Sequence, residues 1–179
     1  MELQGWDKLY QELALKLTDA IAEINWIDLW HNQVGFLIEE HPFPTPALFL
    51  AFRILNTEDL SQKTQKVNLQ VDVYYFYETF LDTFQGAYNE TDALAYLDTI
   101  TNIHKTLHGS SGANYAEMRR VAFSSVDTGS KGNVYLQSFV CNIVDATAAK
   151  VYNEASPGDV TYAEGEAPVV TPTQDYQIP

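Results

Sequence analysis

The segment KVNLQVDVYYF, residues 66–76, alternates apolar and polar side chains almost without exception. One side of the alternation carries apolar and aromatic residues: Val67, Leu69, Val71, Val73 and Tyr75. A period of two with such residues predicts a strand with one face on a hydrophobic core. The other side carries polar residues and one tyrosine, and Phe76 ends the run: Asn68, Gln70, Asp72 and Tyr74. Amide, carboxyl and phenol groups suit contact with another protein, so this face predicts an interaction surface.

The other segments predict an α+β domain. Residues 4–24 carry one apolar stripe at spacings of three and four, which predicts an amphipathic helix. A second such helix is predicted from an N-cap at Thr91 to a stop at Gly109. Segments 118–126 and 134–146 predict a β-hairpin across a turn-rich linker. The predicted architecture is therefore a mainly antiparallel sheet of about four or five strands, with two amphipathic helices packed on one face.

Three segments between these elements need separate interpretation. Trp26 and Trp30 are four residues apart, which suits either a helical continuation or one face of a short strand. After three prolines, ALFLAFRIL at 47–55 predicts a central strand covered on both faces, or a strand with one face in an interface. Residues 56–66 are polar without periodicity and are interpreted as a long connecting loop.

The length of 179 residues predicts one domain, residues 1–150, followed by a different kind of segment. Residues 151–179 hold four of the seven prolines and no Lys or Arg, which predicts an extended or disordered acidic tail. An arm lying on a neighbouring subunit is the alternative. The start of the chain shows no basic region followed by an apolar one, so we expect no signal peptide and a cytoplasmic site of synthesis.

The formal net charge of −14 argues against a protein that grips nucleic acid or anionic lipid. An acidic surface can still let DNA pass without binding it. Cys141, the one cysteine, is predicted to be a buried, unreactive thiol.

Signals for catalysis or metal binding are weak. His104 and His108 are four residues apart on a predicted helix, but no third ligand follows them in an HExxH pattern. GxSxG, P-loop and GxGxxG motifs are absent from the sequence. We therefore expect no catalytic residues, no cofactor and no metal, and a protein that is not an enzyme. A carbohydrate-binding domain or hydrolase with Trp26 and Trp30 as a platform is an alternative.

The order of these segments resembles a known family. VNLQVDVYYF at 67–76, a helix ending in LHG at 107–109, and MRRVAFSSVDTGSKGNVYLQSFVCNIV at 118–144 together resemble the tail terminator, or tail completion, proteins of tailed bacteriophages. The resemblance covers roughly residues 1–147, with residues 78–89 and the tail as additions to its pattern.

The resemblance implies a virion protein made in the bacterial cytoplasm. Its subunits would form a hexameric ring that caps the tail tube, contacts the head–tail connector and passes DNA through its lumen. A tube-capping or adaptor component of a contractile injection system is the alternative with the same fold.

The predicted contact residues lie on the polar strand face and in the turn between the last two strands: Asn68, Gln70, Asp72, Tyr74, Phe76, Asp127, Lys131 and Asn133. The polar segment 56–66 is predicted to contribute as well.

Overall fold

A single five-stranded sheet forms the centre of the protein. The computed structural model describes residues 1–36, 43–78, 81–127 and 132–149. The strand order is β1-β2-β3-β5-β4. The strands are β1 (Trp26–Leu29), β2 (Ala47–Ser61), β3 (Thr64–Tyr77), β4 (Arg119–Val126) and β5 (Asn133–Asp145). β1 pairs with β2 in parallel and all other neighbours are antiparallel, which confirms the predicted α+β class with its mainly antiparallel sheet.

The helices are α1 (Trp6–Ala20), α2 (Glu90–Leu94) and α3 (Tyr96–Leu107). The α1 stripe buries Leu9, Leu13 and Leu17 completely, and α3 buries Ile103 and Leu107. Each such side chain contributes roughly 1.5–3 kcal/mol of transfer free energy. These side chains pack on the sheet face formed by the apolar residues of β3, from Val67 to Tyr75. The alternation in β3 therefore confirms the predicted core face.

A second, smaller core lies on the opposite face of the sheet, at the end where β2 begins. Its buried members come from four separate segments: Val34, Ala47, Phe49, Phe76 and Val134. Phe43 packs edge-on against Phe49 and Phe76, with ring centroids 5.0 and 5.7 Å away. The chain before β2 thus covers one end of this face, while the remainder carries the polar side chains of β2, β3 and β5.

The polar segment 56–66 is not a loop, so that prediction is wrong. β2 continues to Ser61 and β3 begins at Thr64, which makes a long hairpin with a short tip. Glu58 faces Lys66 across the hairpin, and Gln65 donates a hydrogen bond of 2.8 Å to Asp59. Sequence periodicity is absent here because both faces of the hairpin are exposed, and the backbone ladder rather than burial holds the strands together.

Three element boundaries differ from the predictions. α1 begins at Trp6 and ends at Ala20, because Leu3 instead pairs its backbone with Val144 and the chain turns before β1. The second helix is interrupted at Ala95, and its N-cap is Asn89 rather than Thr91. Gly109 does end α3, with a positive φ of 76° that favours glycine.

Two open questions from the sequence have answers in the fold. Trp26 opens the short strand β1, and Trp30 directly follows its end. Segment 47–55 begins β2, whose first four residues are buried and lie between β1 and β3. The β4–β5 hairpin is confirmed. Cys141 is buried, as predicted, and burial raises the pKa of its thiol to about 12. The predicted tail, residues 151–179, lies outside the described residues.

Candidate assembly surface

We call the sheet face opposite α1 and α3 the open face. It is formed by the side chains of β2, β3 and β5 that point away from these helices, beginning with Ala51 on β2 and ending with Asn142 on β5. Its centre is a chain of hydrogen bonds across three strands. Arg53 donates to Gln70 (2.9 Å), Gln70 donates to Asp72 (2.8 Å), and Ser138 donates to the same Asp72 oxygen (2.5 Å). This network fixes the geometry of Gln70 and Asp72, two of the predicted contact residues, and leaves both half-buried.

Three asparagines form a row across the open face beside this network. Asn56 of β2 faces Asn68 of β3, and Asn68 faces Asn142 of β5. The side-chain oxygen of Asn68 is buried and has no hydrogen-bond partner among the described residues. A buried acceptor without a donor lowers the stability of the subunit. A shallow cavity of about 210 Å³ lies here, lined by Asn56, Thr57, Glu58, Lys66, Asn68 and Asn142.

Tyr74 and Phe76, the other two predicted contacts on β3, belong to the aromatic end of the open face. Tyr74 is half-buried beneath the indole of Trp30, with ring centroids 4.0 Å apart. Burial, and then the neighbouring Asp72 carboxylate, raise the pKa of Tyr74, so its hydroxyl remains a neutral donor. Phe76 is only 1% exposed in the second core. Its side chain therefore offers no surface to a partner in the folded subunit, contrary to its predicted role.

Two of the three predicted contacts in the β4–β5 turn are among the described residues. Asp127 and Asn133 are both exposed, at the end of β4 and the start of β5. Lys131 lies outside the described residues. The structure thus brings the two exposed residues to the sheet end where Phe76 lies, because Val126 pairs with Val134 and Val134 pairs with Phe76.

An apolar edge on β2 was missed by the sequence reasoning. β1 pairs only with Ala47–Leu50, so within the described residues the outer edge of β2 from Ala51 to Ser61 has no neighbouring strand. Leu55 and Leu60 are each skipped by the β2–β3 pairing, and they are 45% and 53% exposed. Ile54, beside Leu55, is 48% exposed. A long strand edge with exposed apolar side chains is a template for pairing with another chain.

The tryptophan pair does not form the flat double platform that sugar binding would use. Trp30 is stacked on Tyr74 and also packs at 5.9 Å from Phe49. Of the two indoles, Trp26 is the more exposed, at 42%. Trp30 therefore packs as part of the second core. Trp26 is the indole that remains exposed and available to a ligand or a partner.

The histidine pair on α3 is close but not arranged as a metal site. The rings of His104 and His108 are 4.7 Å apart, and the backbone N–H of Arg120 donates to Nδ1 of His108 (3.1 Å), which occupies that nitrogen. Burial, and then the charges of Arg120 and His108, lower the pKa of His104. Among the described residues no three His, Cys, Asp or Glu side chains are placed to hold a metal ion.

No protein-family model matches the chain, and no curated protein matches it. The described helices include none with the length and apolar character needed to cross a lipid bilayer.

Proposed function

We propose that this chain is a structural subunit that assembles with copies of itself into a ring. By resemblance, the ring would cap the tail tube of a bacteriophage particle, join it to the head and let DNA pass through its lumen. The observation that carries this proposal is the outer edge of β2, where Leu55 and Leu60 are exposed and no described strand lies beside Ala51–Ser61 on the side away from β3.

The β2 edge supports self-association through its backbone as well as its side chains. Along Ala51–Ser61, roughly every second residue points its backbone N–H and C=O away from β3, and a partner strand can pair these groups. Bulges at Leu55 and Leu60 interrupt the regular ladder, which discourages indiscriminate pairing and favours a partner that matches them. A cognate strand in another copy is the partner that the proposal assigns to this edge.

The open face supports the proposal independently. Its polar groups are held in fixed positions by the Arg53–Gln70–Asp72–Ser138 network. Polar groups in fixed positions suit recognition of another protein surface. The net charge of −14 fits a ring lumen that repels DNA phosphates.

The experiment is light scattering coupled to size-exclusion chromatography of the full chain, with negative-stain microscopy of the same fractions. We expect rings, or an oligomer whose mass rises with concentration. The variant Leu55→Lys/Leu60→Lys places two charges on the β2 edge and should shift the protein to monomers. The matched control is Leu15→Lys on α1, which charges an equally apolar position that is 61% exposed and should leave assembly unchanged.

A subunit of this class can remain monomeric until a tail tube is present. The same variants are therefore also tested for binding to tail tubes of the phage whose genome encodes the chain. The proposal is refuted if the protein stays monomeric at high concentration and also fails to bind these tubes. Neighbouring genes distinguish the two machines: capsid and portal genes indicate a phage, whereas sheath and baseplate genes without a capsid indicate a contractile injection system.

A further inference from the structure

A cavity of about 320 Å³ opens at the end of the sheet where β3 ends, on the side of the helices. Five separate segments meet there: the residues after α1, those before β2, the end of β3, α2 and the start of α3. The volume lies at the small end of the roughly 300–1,000 Å³ typical of ligand pockets. We call this cavity the tyrosine pocket after the three residues of its floor, Tyr75, Tyr77 and Tyr96.

The floor is a set of nearly parallel rings. The centroids of Tyr77 and Tyr96 are 4.4 Å apart with 18° between the planes, and those of Tyr75 and Tyr77 are 5.5 Å apart with 16°. Tyr75 and Tyr77 are buried, whereas Tyr96 is half-buried and therefore in part accessible. The face of an aromatic ring carries negative electrostatic potential, so the accessible part of Tyr96 attracts a cation. Tyr75 and Tyr77 are too buried to contact a ligand directly and support Tyr96 from behind.

The rim of the tyrosine pocket is acidic. Glu23, Glu78 and Asp92 are its charged residues, and Lys, Arg and His are absent from its described lining. All three carboxylates are exposed, and none makes a salt bridge within the described part of the chain. The charge of Glu23 reaches the floor: the pKa of Tyr75 is raised first by burial and further by Glu23. Rim and floor therefore act on a ligand with the same sign.

We propose that the tyrosine pocket binds the guanidinium group of an arginine side chain on a partner protein. Guanidinium is planar, weakly hydrated and stacks on aromatic rings, whereas the ammonium of lysine is a compact, strongly hydrated charge. Its five N–H donors can also reach carboxylates at the rim. The three rim carboxylates do not converge as metal ligands do, which favours a larger organic cation.

A protein side chain is the source that charge favours. At a net charge of −14 the subunit attracts basic segments of other proteins over long range. The pocket then provides a specific binding site for one arginine of such a segment. This inference does not require the ring, because all described lining residues of the pocket, from Glu23 to Thr99, belong to one subunit.

The test is NMR titration of the ¹⁵N-labelled full chain with the peptide acetyl-Gly-Arg-Gly-amide, against the same peptide with citrulline or lysine. Citrulline keeps the shape of arginine without its charge. We expect saturable shifts of the amides at Tyr77, Ala93 and Tyr96 with the arginine peptide, and binding weaker by about fivefold or more with citrulline. The lysine peptide should bind with an intermediate affinity.

Variants locate the binding. Tyr96→Leu removes the accessible ring and should weaken the arginine peptide about two- to fivefold, while Tyr96→Phe keeps the ring and most of the affinity. Asp92→Asn should weaken binding, whereas Asp98→Asn, an equal charge change on an exposed residue of α3 outside the pocket, should not. Amide spectra of the free variants verify their folding.

The inference is overturned by any of three results: citrulline binding as tightly as arginine, equal losses in Asp92→Asn and Asp98→Asn, or shifts that do not saturate at the pocket. The second result would show attraction to the overall negative charge only. Because none of these readouts depends on oligomeric state, failure of the ring proposal and failure of this one are distinguishable.

Discussion

The indole of Trp30 lies flat on the phenol ring of Tyr74, with 4.0 Å between ring centroids and 8° between the planes. This contact joins the chain after β1 to the central strand β3 and closes one side of the second core. It also ties the polar open face to an aromatic anchor, since Tyr74 is two residues from Asp72.

We expect Trp30→Ala to lower the free energy of unfolding by about 2 kcal/mol, because it removes a half-buried indole together with its stacking. The matched change Trp26→Ala, on the same face but more exposed, should cost less than about 1 kcal/mol. Urea unfolding followed by circular dichroism measures both. Equal losses in the two variants would contradict the role assigned to the stack. Glycan binding that disappears in Trp26→Ala would instead favour the carbohydrate-binding alternative.

Asn68→Val tests whether Asn68 contributes to assembly. Valine removes the buried oxygen and suits a central strand, so the free energy of unfolding should rise by about 0.5–1 kcal/mol. The same change should weaken self-association if Asn68 is a contact residue, because the partly exposed polar side chain is lost from the open face. A variant that is stabilised and still assembles fully would remove Asn68 from the contact surface.

Glu12 should make stability fall in acid. Its carboxylate accepts hydrogen bonds from the backbone N–H of Ala113 (2.6 Å) and Asn114 (3.0 Å) and from the Asn114 side chain (2.8 Å). Burial raises the Glu12 pKa, but these bonds and the charge of Lys16 outweigh it, and the pKa is lowered from its ordinary 4.5. The unfolded chain therefore binds the proton more readily, and stability present above pH 4.5 is lost as the pH falls through the folded pKa.

The measurement for Glu12 is the urea midpoint as a function of pH in the natural chain and in Glu12→Gln. The variant should be less stable at pH 7 and should show a shallower decline below pH 4.5. Glu117→Gln, an exposed residue of the neighbouring loop, should retain the natural decline. A Glu12→Gln curve parallel to the natural one would exclude this carboxylate as the source.

His104 should add a second pH dependence at higher pH. Its pKa is lowered from 6.5 by burial and then by Arg120 and His108, and its Nδ1 is buried without a partner among the described residues. Because the unfolded chain takes up the proton first, stability present above pH 6.5 should decrease below it, until the folded His104 also titrates. His104→Gln should flatten the profile there. Thermal unfolding between pH 5 and 8 reads this out.

Sequence patterns predicted the elements whose burial is one-sided. β3 and the helical stripes follow this rule, because a periodic apolar face shows directly in the sequence. The part of β2 from Asn56 to Ser61 could not be predicted as a strand. Side chains on both faces of this segment, such as Glu58 and Asp59, are exposed, so the sequence shows no alternation of apolar and polar residues there. The open-face network and the asparagine row depend on register between strands, which no single segment carries. The tyrosine pocket gathers residues from five segments and was invisible for the same reason.

Seen as a building block, the sheet has two dissimilar borders: β2 beyond residue 50 on one side and β4 on the other, each without a further strand in the described chain. If one copy's β4 docks beside the next copy's β2, every addition exposes the same vacant border again. Nothing chemical then stops growth, and only the twist accumulated per copy determines whether the series closes on itself or continues as a fibre. Copy number in such an assembly would be a geometric property of this sheet.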